Sequence, residues 1–278
     1  MPVVKSNPMN SPQLGGAVSK IQMVLLALMP ALSIMTYQFG FGTAINILIA
    51  VTTATVSESI ILALRKRPIK VHLNDLSSVL TAVLLGLALP PLAPWWLVVI
   101  ASLSSIVIAK QLYGNTGVGL FNPAMVGYAV VLLSFPLEMS VWVIPVSVLV
   151  EGINHPNIFE SLSIVFGMSN SVDGITGATP LDAFKQSSGL LVDQIYQTKT
   201  VYSSATLAGV GWEVVNMAFL CGGIFLLQAR FFSWHAPLAM MTTISILAML
   251  FWDGGSSVSA GSPLMHLLSG GTMMGAFF

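Results

Sequence analysis

The sequence has very few charged residues. It contains ten basic and ten acidic residues among 278, which is 7% of the chain. A soluble globular domain usually has about a quarter of its residues charged. Hydrophobic residues make up 55% of the chain, so water is not the main solvent of this protein. The formal net charge is zero and no basic stripe is present, which argues against nucleic acid as a partner.

Side chains that hold metals and redox clusters are equally scarce. A disulfide framework, a zinc site or an iron–sulfur cluster each needs several cysteines, and Cys221 is the only one. We interpret Cys221 as a small buried hydrophobe within an apolar run. The four histidines show no metal-ligand spacing. No apolar stretch carries a row of carboxylates, which a proton relay inside the membrane would require.

Long uncharged stretches are what the sequence has instead. A helix needs about 20 apolar residues to cross a bilayer. We predict apolar elements at about residues 21–38 and 43–63, two shorter halves within 75–110 separated by a turn at 90–96, a broken element at 120–150, and three more at about 208–229, 234–252 and 262–278. The predicted fold class is therefore an all-α polytopic integral membrane protein with about eight transmembrane segments, some of them broken.

The distribution of basic residues predicts the orientation in the membrane, because lysine and arginine favour cytoplasmic loops. If the N-terminus is cytoplasmic and five crossings precede residue 151, eight basic residues lie inside and two, Lys185 and Lys199, lie outside. The inside set is Lys5, Lys20, Arg65, Lys66, Arg67, Lys70, Lys110 and Arg230. We therefore predict a first transmembrane repeat of about five spans at 1–150, an outer loop at 151–203 and a second, incomplete repeat at 204–278.

Two glycine-rich segments, 114–123 and 269–275, suggest the repeat. Each segment lies roughly 45 residues after a basic residue that is soon followed by a histidine. These pairs are Arg67 with His72 for the first segment and Arg230 with His235 for the second. Glycine-rich breaks in matching halves are typical of discontinuous helices around a site near the membrane midplane. Ordinary loops and close helix packing explain the same pattern, and both interpretations remain open.

The polar segment 173–182 reads Asp-Gly-Ile-Thr-Gly-Ala-Thr-Pro-Leu-Asp. Thr179 is predicted to be the N-cap of a helix, with Pro180 at the first helical position and Asp182 at the third. A helix start explains the pattern without any function. The Thr179 hydroxyl also follows two small residues, so it is open to an incoming enzyme or ligand.

Residues 173–179 resemble the flavinylation motif Asp-x-x-Ser/Thr-Gly-Ala-Thr. Over essentially its whole length the chain resembles the RnfD membrane subunits of the Rnf electron-transport complex and, more distantly, the NqrB subunits of the sodium-pumping NADH:quinone reductase. The stretches that carry this resemblance are 119–128, 175–182 and 269–278. Members of that family continue with roughly two more spans, so we expect the chain to be C-terminally truncated relative to the family.

The resemblance implies flavin mononucleotide (FMN) linked to Thr179 through a phosphoester by a dedicated flavin transferase. Asp173, Thr176, Gly177 and Ala178 would form the turn that the transferase recognises. A second, non-covalent flavin such as riboflavin is implied within the membrane, and segments 114–123 and 270–275 are our candidates for its site.

The resemblance also implies a setting for the chain. It would be a multi-pass subunit in the bacterial inner membrane, surrounded by lipid, with the Thr179 loop in the periplasm and the RnfA, RnfB, RnfC, RnfE and RnfG proteins of the complex as partners. Not catalytic alone, it would relay electrons in a translocase that couples electron transfer between ferredoxin and NAD to sodium or proton movement. Two alternatives remain: a subunit of the quinone-reductase type, and a flavin-free channel or transporter.

Overall fold

The computed structural model describes residues 11–113, 121–149, 155–169, 174–187, 194, 195, 197, 202, 208–252 and 261–278. This part of the chain is almost entirely helical, which confirms the predicted fold class. Its helices are α1 (Ser11–Phe39), α2 (Gly42–Leu64), α3 (Ile69–Leu73), α4 (Ser77–Ala88), α5 (Trp95–Leu103), a π-helix (Ser104–Tyr113), α6 (Pro123–Ser134), α7 (Pro136–Ser140), α8 (Ile158–Val165), α9 (Pro180–Gln186), α10 (Trp212–Gln228), α11 (His235–Phe251), α12 (Pro263–Leu268) and α13 (Thr272–Phe277). A 3-10 turn (Val146–Val148) and two short strands, β1 (Trp142–Val143) and β2 (Thr176–Gly177), complete the described elements.

Three helices in the described residues are long and apolar enough to cross a membrane: Lys20–Phe39, Gly42–Leu64 and Trp95–Leu112. Four shorter apolar helices, α4, α6, α10 and α11, accompany them. Helix α6 ends at Ser134, and the chain beyond it forms α7 and β1. The broken element predicted at 120–150 therefore contributes one short helix, and its second half turns into the structure that holds the polar motif.

Helices α1 and α10 lie antiparallel and pack closely. Phe39, at the end of α1, contacts Trp212, at the start of α10, with their ring centroids 5.1 Å apart. Near the other end, a Cβ added to Gly222 would lie 2.2 Å from the backbone oxygen of Ala27. Only glycine permits this approach, which is a common way for membrane helices to bring their backbones together.

Helices α2 and α10 end with the same local geometry. Lys66 and Arg230 follow their last turns with positive φ angles of 54° and 53°. In each case the next amide donates to the carbonyl of a fully buried leucine, from Arg67 to Leu62 at 2.9 Å and from Phe231 to Leu226 at 3.0 Å. A left-handed residue after the last turn is the usual way to satisfy the final carbonyls of a helix.

A first helix break separates α4 from α5 at residues 89–94, where prolines interrupt the apolar stretch as the sequence predicts. Asn46 of α2, which is fully buried, closes the break from the side. Its amide donates to the carbonyls of Pro90 at 2.8 Å and Pro91 at 3.1 Å. Carbonyls that the helix leaves free are thereby satisfied by a buried side chain within the protein.

A second break separates α12 from α13 at residues 269–271, within the predicted glycine-rich segment. The fully buried Asn216 of α10 holds it with both ends of its side-chain amide. Its Nδ2 donates to the carbonyls of Leu268 and Gly270, each at 2.8 Å, and its Oδ1 accepts from the amide of Met273 at 3.2 Å. In the other predicted glycine-rich segment, residues 114–120 lie outside the described residues.

Candidate functional site

A two-residue β-ladder fixes the polar motif to the helical bundle. Strand β2 pairs antiparallel with β1, placing Gly177 opposite Trp142 and Thr176 opposite Val143. A Cβ on Gly177 would lie 3.0 Å from Ile144, so the ladder leaves little room for a larger residue. The ring of Trp142 contacts the rings at the end of α1 and the start of α10, which places the motif at that end of the bundle. Asp173, the first residue of the motif, lies outside the described residues.

Thr179 is the N-cap of α9, with Pro180 at the first helical position, as the sequence predicts. The Thr179 hydroxyl donates to Oδ2 of Asp182 at 2.7 Å. Its oxygen also accepts from the Asp182 backbone amide at 3.2 Å. Thr179 is half-buried, so its side chain reaches the surface while both of these contacts hold it in place.

Helix α9 is packed against the rest of the protein. Phe184 and Ala183 form a buried cluster with Met265 of α12 and Tyr202. The hydroxyl of Tyr202 donates to the carbonyl of Pro180, immediately after Thr179. On the same side of the fold, a Cβ added to Gly270 would lie 3.1 Å from Leu181. The motif helix therefore sits on α12 and on the second helix break.

An open cleft of about 240 Å³ lies beside the motif. Thr176, Gly177 and Ala178 line it, so the structure brings three of the predicted site residues to one surface. Asp182, Gln186 and Ser140 add polar groups to the same wall. Sequence reasoning found Asp182 only as a helix-start residue. Ser140 carries no local signal that would have linked it to a motif so far along the chain.

A second cavity, of about 300 Å³, lies between the two halves of the chain. Asn122 and Pro123, from the described end of segment 114–123, line it together with Phe277 and Phe278, which follow segment 270–275. The amide of Asn122 lies 3.5 Å from the Phe278 carbonyl. Residues next to both predicted glycine-rich segments thus line the same, mostly apolar cavity. Lys110 is the charged side chain among the residues that line it.

Lys110 also forms a buried ion pair. Its ammonium lies 2.6 Å from the carboxylate of Glu58, whose side chain is 2% exposed. The side-chain amide of Gln111 donates to the same carboxylate at 3.3 Å. The sequence places Glu58 near the end of a predicted span but gives no indication of this partner, which is far along the chain. Removing both charges from water costs free energy, so such a pair is stable only when the ion-pair geometry and further hydrogen bonds compensate for that cost.

The remaining residues that bear on chemistry are scattered. Within the described ranges, no group of three or more histidine, cysteine, aspartate or glutamate side chains is arranged to hold a metal ion.

The interpretation of Cys221 as buried was wrong, because it is exposed on the outer face of α10. Burial lowers the pKa of His155, which packs beside Gly40 just after α1.

The apolar helices, the two breaks closed by buried asparagines and the polar motif docked at one end define a polytopic membrane protein with discontinuous helices. The family described as NQR2, RnfD, RnfE matches residues 10–278, and the chain belongs to this family. The resemblance inferred from the motif is therefore confirmed at the level of the family.

Individual relatives share much of the sequence. The D subunit of the ion-translocating oxidoreductase complex of Cellvibrio japonicus is 44% identical over 271 residues, which cover 96% of this chain and 76% of the relative. The corresponding D subunits of Ectopseudomonas mendocina and Salmonella paratyphi A are 46% and 45% identical, each over 92% of this chain and over 71% and 75% of their own lengths.

Proposed function

We propose that this chain is a membrane subunit of an ion-translocating oxidoreductase complex and relays electrons through FMN attached covalently to Thr179. Its relatives are named as the D subunit of such a complex. The observation that carries the assignment of the site is the Thr179 hydroxyl, which is half-buried at the start of α9 and bonded to no side chain other than Asp182 among the described residues. A phosphoester link needs such a hydroxyl, fixed in position and reachable from outside.

The residues around Thr179 fit the flavin. The cleft lined by Thr176, Gly177, Ala178 and Asp182 offers space and hydrogen-bonding groups next to the motif. The β-ladder and the Tyr202 hydrogen bond hold the motif in place. A bound FMN supplies the one- and two-electron chemistry that this chain's own side chains lack. The protein's part is to fix the position of the flavin and to tune its surroundings.

A second, non-covalent flavin is proposed for the 300 Å³ cavity. Its apolar walls, including Phe277 and Phe278, suit a flat ring system, and Lys110 and Asn122 are placed to fix its orientation. Ligand pockets commonly combine an apolar lining with a few polar groups in this way. Retention of riboflavin by the purified chain, and its loss when Phe277→Ala is introduced, would test this site separately from Thr179.

The orientation we propose places the Thr179 end of the bundle in the periplasm of a bacterial inner membrane. Arg65 and Lys110 lie at the opposite end, where Arg65 donates to the Gln111 carbonyl at 3.1 Å, so these two basic residues lie away from the motif. Partners are the other subunits of the complex and a flavin transferase. The complex would couple electron exchange between ferredoxin and NAD to sodium or proton movement.

Mass spectrometry of the peptide that contains Thr179 tests the proposal. We expect a mass increase equal to FMN minus water when the chain is made in cells that contain the transferase. Thr179→Ala should abolish the increase, whereas Thr179→Ser, which keeps a hydroxyl, should retain it. Thr243→Ala, on the exposed face of α11, is the matched control and should leave the modification unchanged. An unmodified peptide from a competent host would refute the assignment.

The same preparation separates the two alternative functions. A flavin-free channel or transporter would show no flavin fluorescence in the denatured chain. A subunit of the quinone-reductase type would carry the same flavin but would pass electrons to a quinone, so the acceptor used by the assembled complex distinguishes it from the ferredoxin- and NAD-dependent type.

A further inference from the structure

We propose that the carboxylate of Asp182 orients the Thr179 hydroxyl for modification and takes up its proton as the phosphoester forms. This inference rests on the proposed attachment of FMN to Thr179. It assigns a role to a residue that lies outside the motif itself, which ends at Thr179. Asp182 comes one turn later, so it accompanies Thr179 into any enzyme that binds this turn.

The hydrogen bonds of the Thr179 oxygen carry the argument. A hydroxyl has one proton and two lone pairs. The proton is directed to Asp182 Oδ2 at 2.7 Å, a short distance typical of a bond to a charged acceptor. One lone pair accepts the Asp182 amide at 3.2 Å. The second lone pair has no partner among the described residues, so it is the one available to attack a phosphorus atom.

Asp182 is placed to accept the hydroxyl proton. It is half-buried and lines the 240 Å³ cleft beside the motif. Within the described part of the chain, the buried ion pair joins Glu58 to Lys110, and no lysine or arginine there pairs with the Asp182 carboxylate. Its position is fixed because α9 is anchored by Tyr202 and by the packing of Phe184.

The chemical step balances with an activated flavin donor, in which the FMN phosphate is joined to a leaving phosphate through a phosphoanhydride bond. The Thr179 oxygen forms a bond to the FMN phosphorus. The phosphoanhydride bond breaks, and the leaving phosphate keeps the electron pair. The proton of the hydroxyl passes to Asp182 Oδ2 and then to water. No electron is gained or lost by the protein.

A set of variants separates proton transfer from mere support of the helix. In Asp182→Asn the side chain keeps its size and one oxygen that can accept the hydroxyl hydrogen bond, but it cannot take up the proton. We expect kcat for FMN attachment by the transferase to fall about 100-fold or more, with little change in KM for this chain, because general-base assistance typically contributes a factor of at least about 100. Asp182→Glu should restore part of the lost rate.

Lys185→Gln is the matched control, since Lys185 is an exposed residue on the same helix. Initial rates would be measured on the full chain in detergent by in-gel flavin fluorescence, with the attachment site verified by mass spectrometry. A rate for Asp182→Asn equal to that of the unaltered chain would overturn the role of Asp182 and leave the attachment intact. A defect confined to KM would also overturn it, by showing that Asp182 serves recognition alone. Failure to modify even the unaltered chain would instead refute the proposed function.

Discussion

The two helix breaks are closed by the same kind of residue in different ways. At residues 89–94, Asn46 uses only its amide nitrogen, and its Oδ1 is buried without a hydrogen-bond partner among the described residues. At residues 269–271, Asn216 uses both its nitrogen and its oxygen. The first break therefore requires a donor from its partner helix, and the second requires a donor and an acceptor.

The composition of each break explains this difference. Three of the six residues at 89–94 are proline, which has no amide hydrogen, so carbonyl oxygens are the main groups left to satisfy. The second break contains Gly270 and Gly271 and no proline, so amide groups as well as carbonyls remain. A side-chain amide can serve both needs because it carries two donors and an acceptor. The hydrogen bonds made by a buried asparagine thus depend on which backbone groups the facing break leaves free.

The largest effect is expected for Asn216→Leu. The change leaves the carbonyls of Leu268 and Gly270 and the amide of Met273 buried without this partner. Each such group costs roughly 1–3 kcal/mol, so we expect a loss of about 4 kcal/mol in the free energy of unfolding. Unfolding in mixed detergent micelles measures it. A loss below that of Asn46→Leu would contradict the comparison.

A smaller effect is expected for Gly42→Ala, which tests how closely α2 approaches the first break. The added Cβ would lie 2.1 Å from the carbonyl oxygen of Pro91, and this backbone cannot move as a flexible side chain can. We expect a loss of about 2 kcal/mol in the free energy of unfolding. Gly271→Ala, at the second break, is the matched control. Nothing lies within 4 Å of its added Cβ, so its midpoint of unfolding should not change.

The smallest effect is expected for Asn46→Leu. The variant removes the donor to the Pro90 and Pro91 carbonyls, but it also removes a buried oxygen that has no partner among the described residues. Because the second change offsets part of the first, we expect a net loss of about 1 kcal/mol in the free energy of unfolding. The same unfolding assay applies, and a loss equal to that of Asn216→Leu would show that the unpartnered oxygen has no energetic consequence.

Features that depend on local sequence were predicted well. Residues 43–63 and 234–252 were expected to be apolar helices, and the structure has α2 at Gly42–Leu64 and α11 at His235–Phe251. Prolines marked the break at 90–96, and the spacing of Thr179, Pro180 and Asp182 marked the start of α9. Helix extents and helix starts are predictable because they depend on the length of an apolar stretch and on capping residues that lie close together in the sequence.

Features that depend on distant contacts were not predictable from one sequence. Asn216 meets Leu268 and Gly270 across more than 50 residues, and nothing near Asn216 identifies those partners. The strand that holds Gly177 has only two residues, too few to show the alternation that marks a strand. The pairing of Glu58 with Lys110 was missed for the same reason, because each residue by itself resembles an isolated charge at the end of a span.

Lys66 and Arg230 each occupy a backbone conformation that glycine would adopt more easily. A left-handed residue other than glycine costs about 1–2 kcal/mol, so a glycine at either place would make the end of its helix more stable. In the orientation proposed above, it would also remove a cation that favours a cytoplasmic location for the following loop. Under that orientation the residues that end these two helices would also help to orient the chain in the membrane, and a substitution that improves the helix end would weaken the second role.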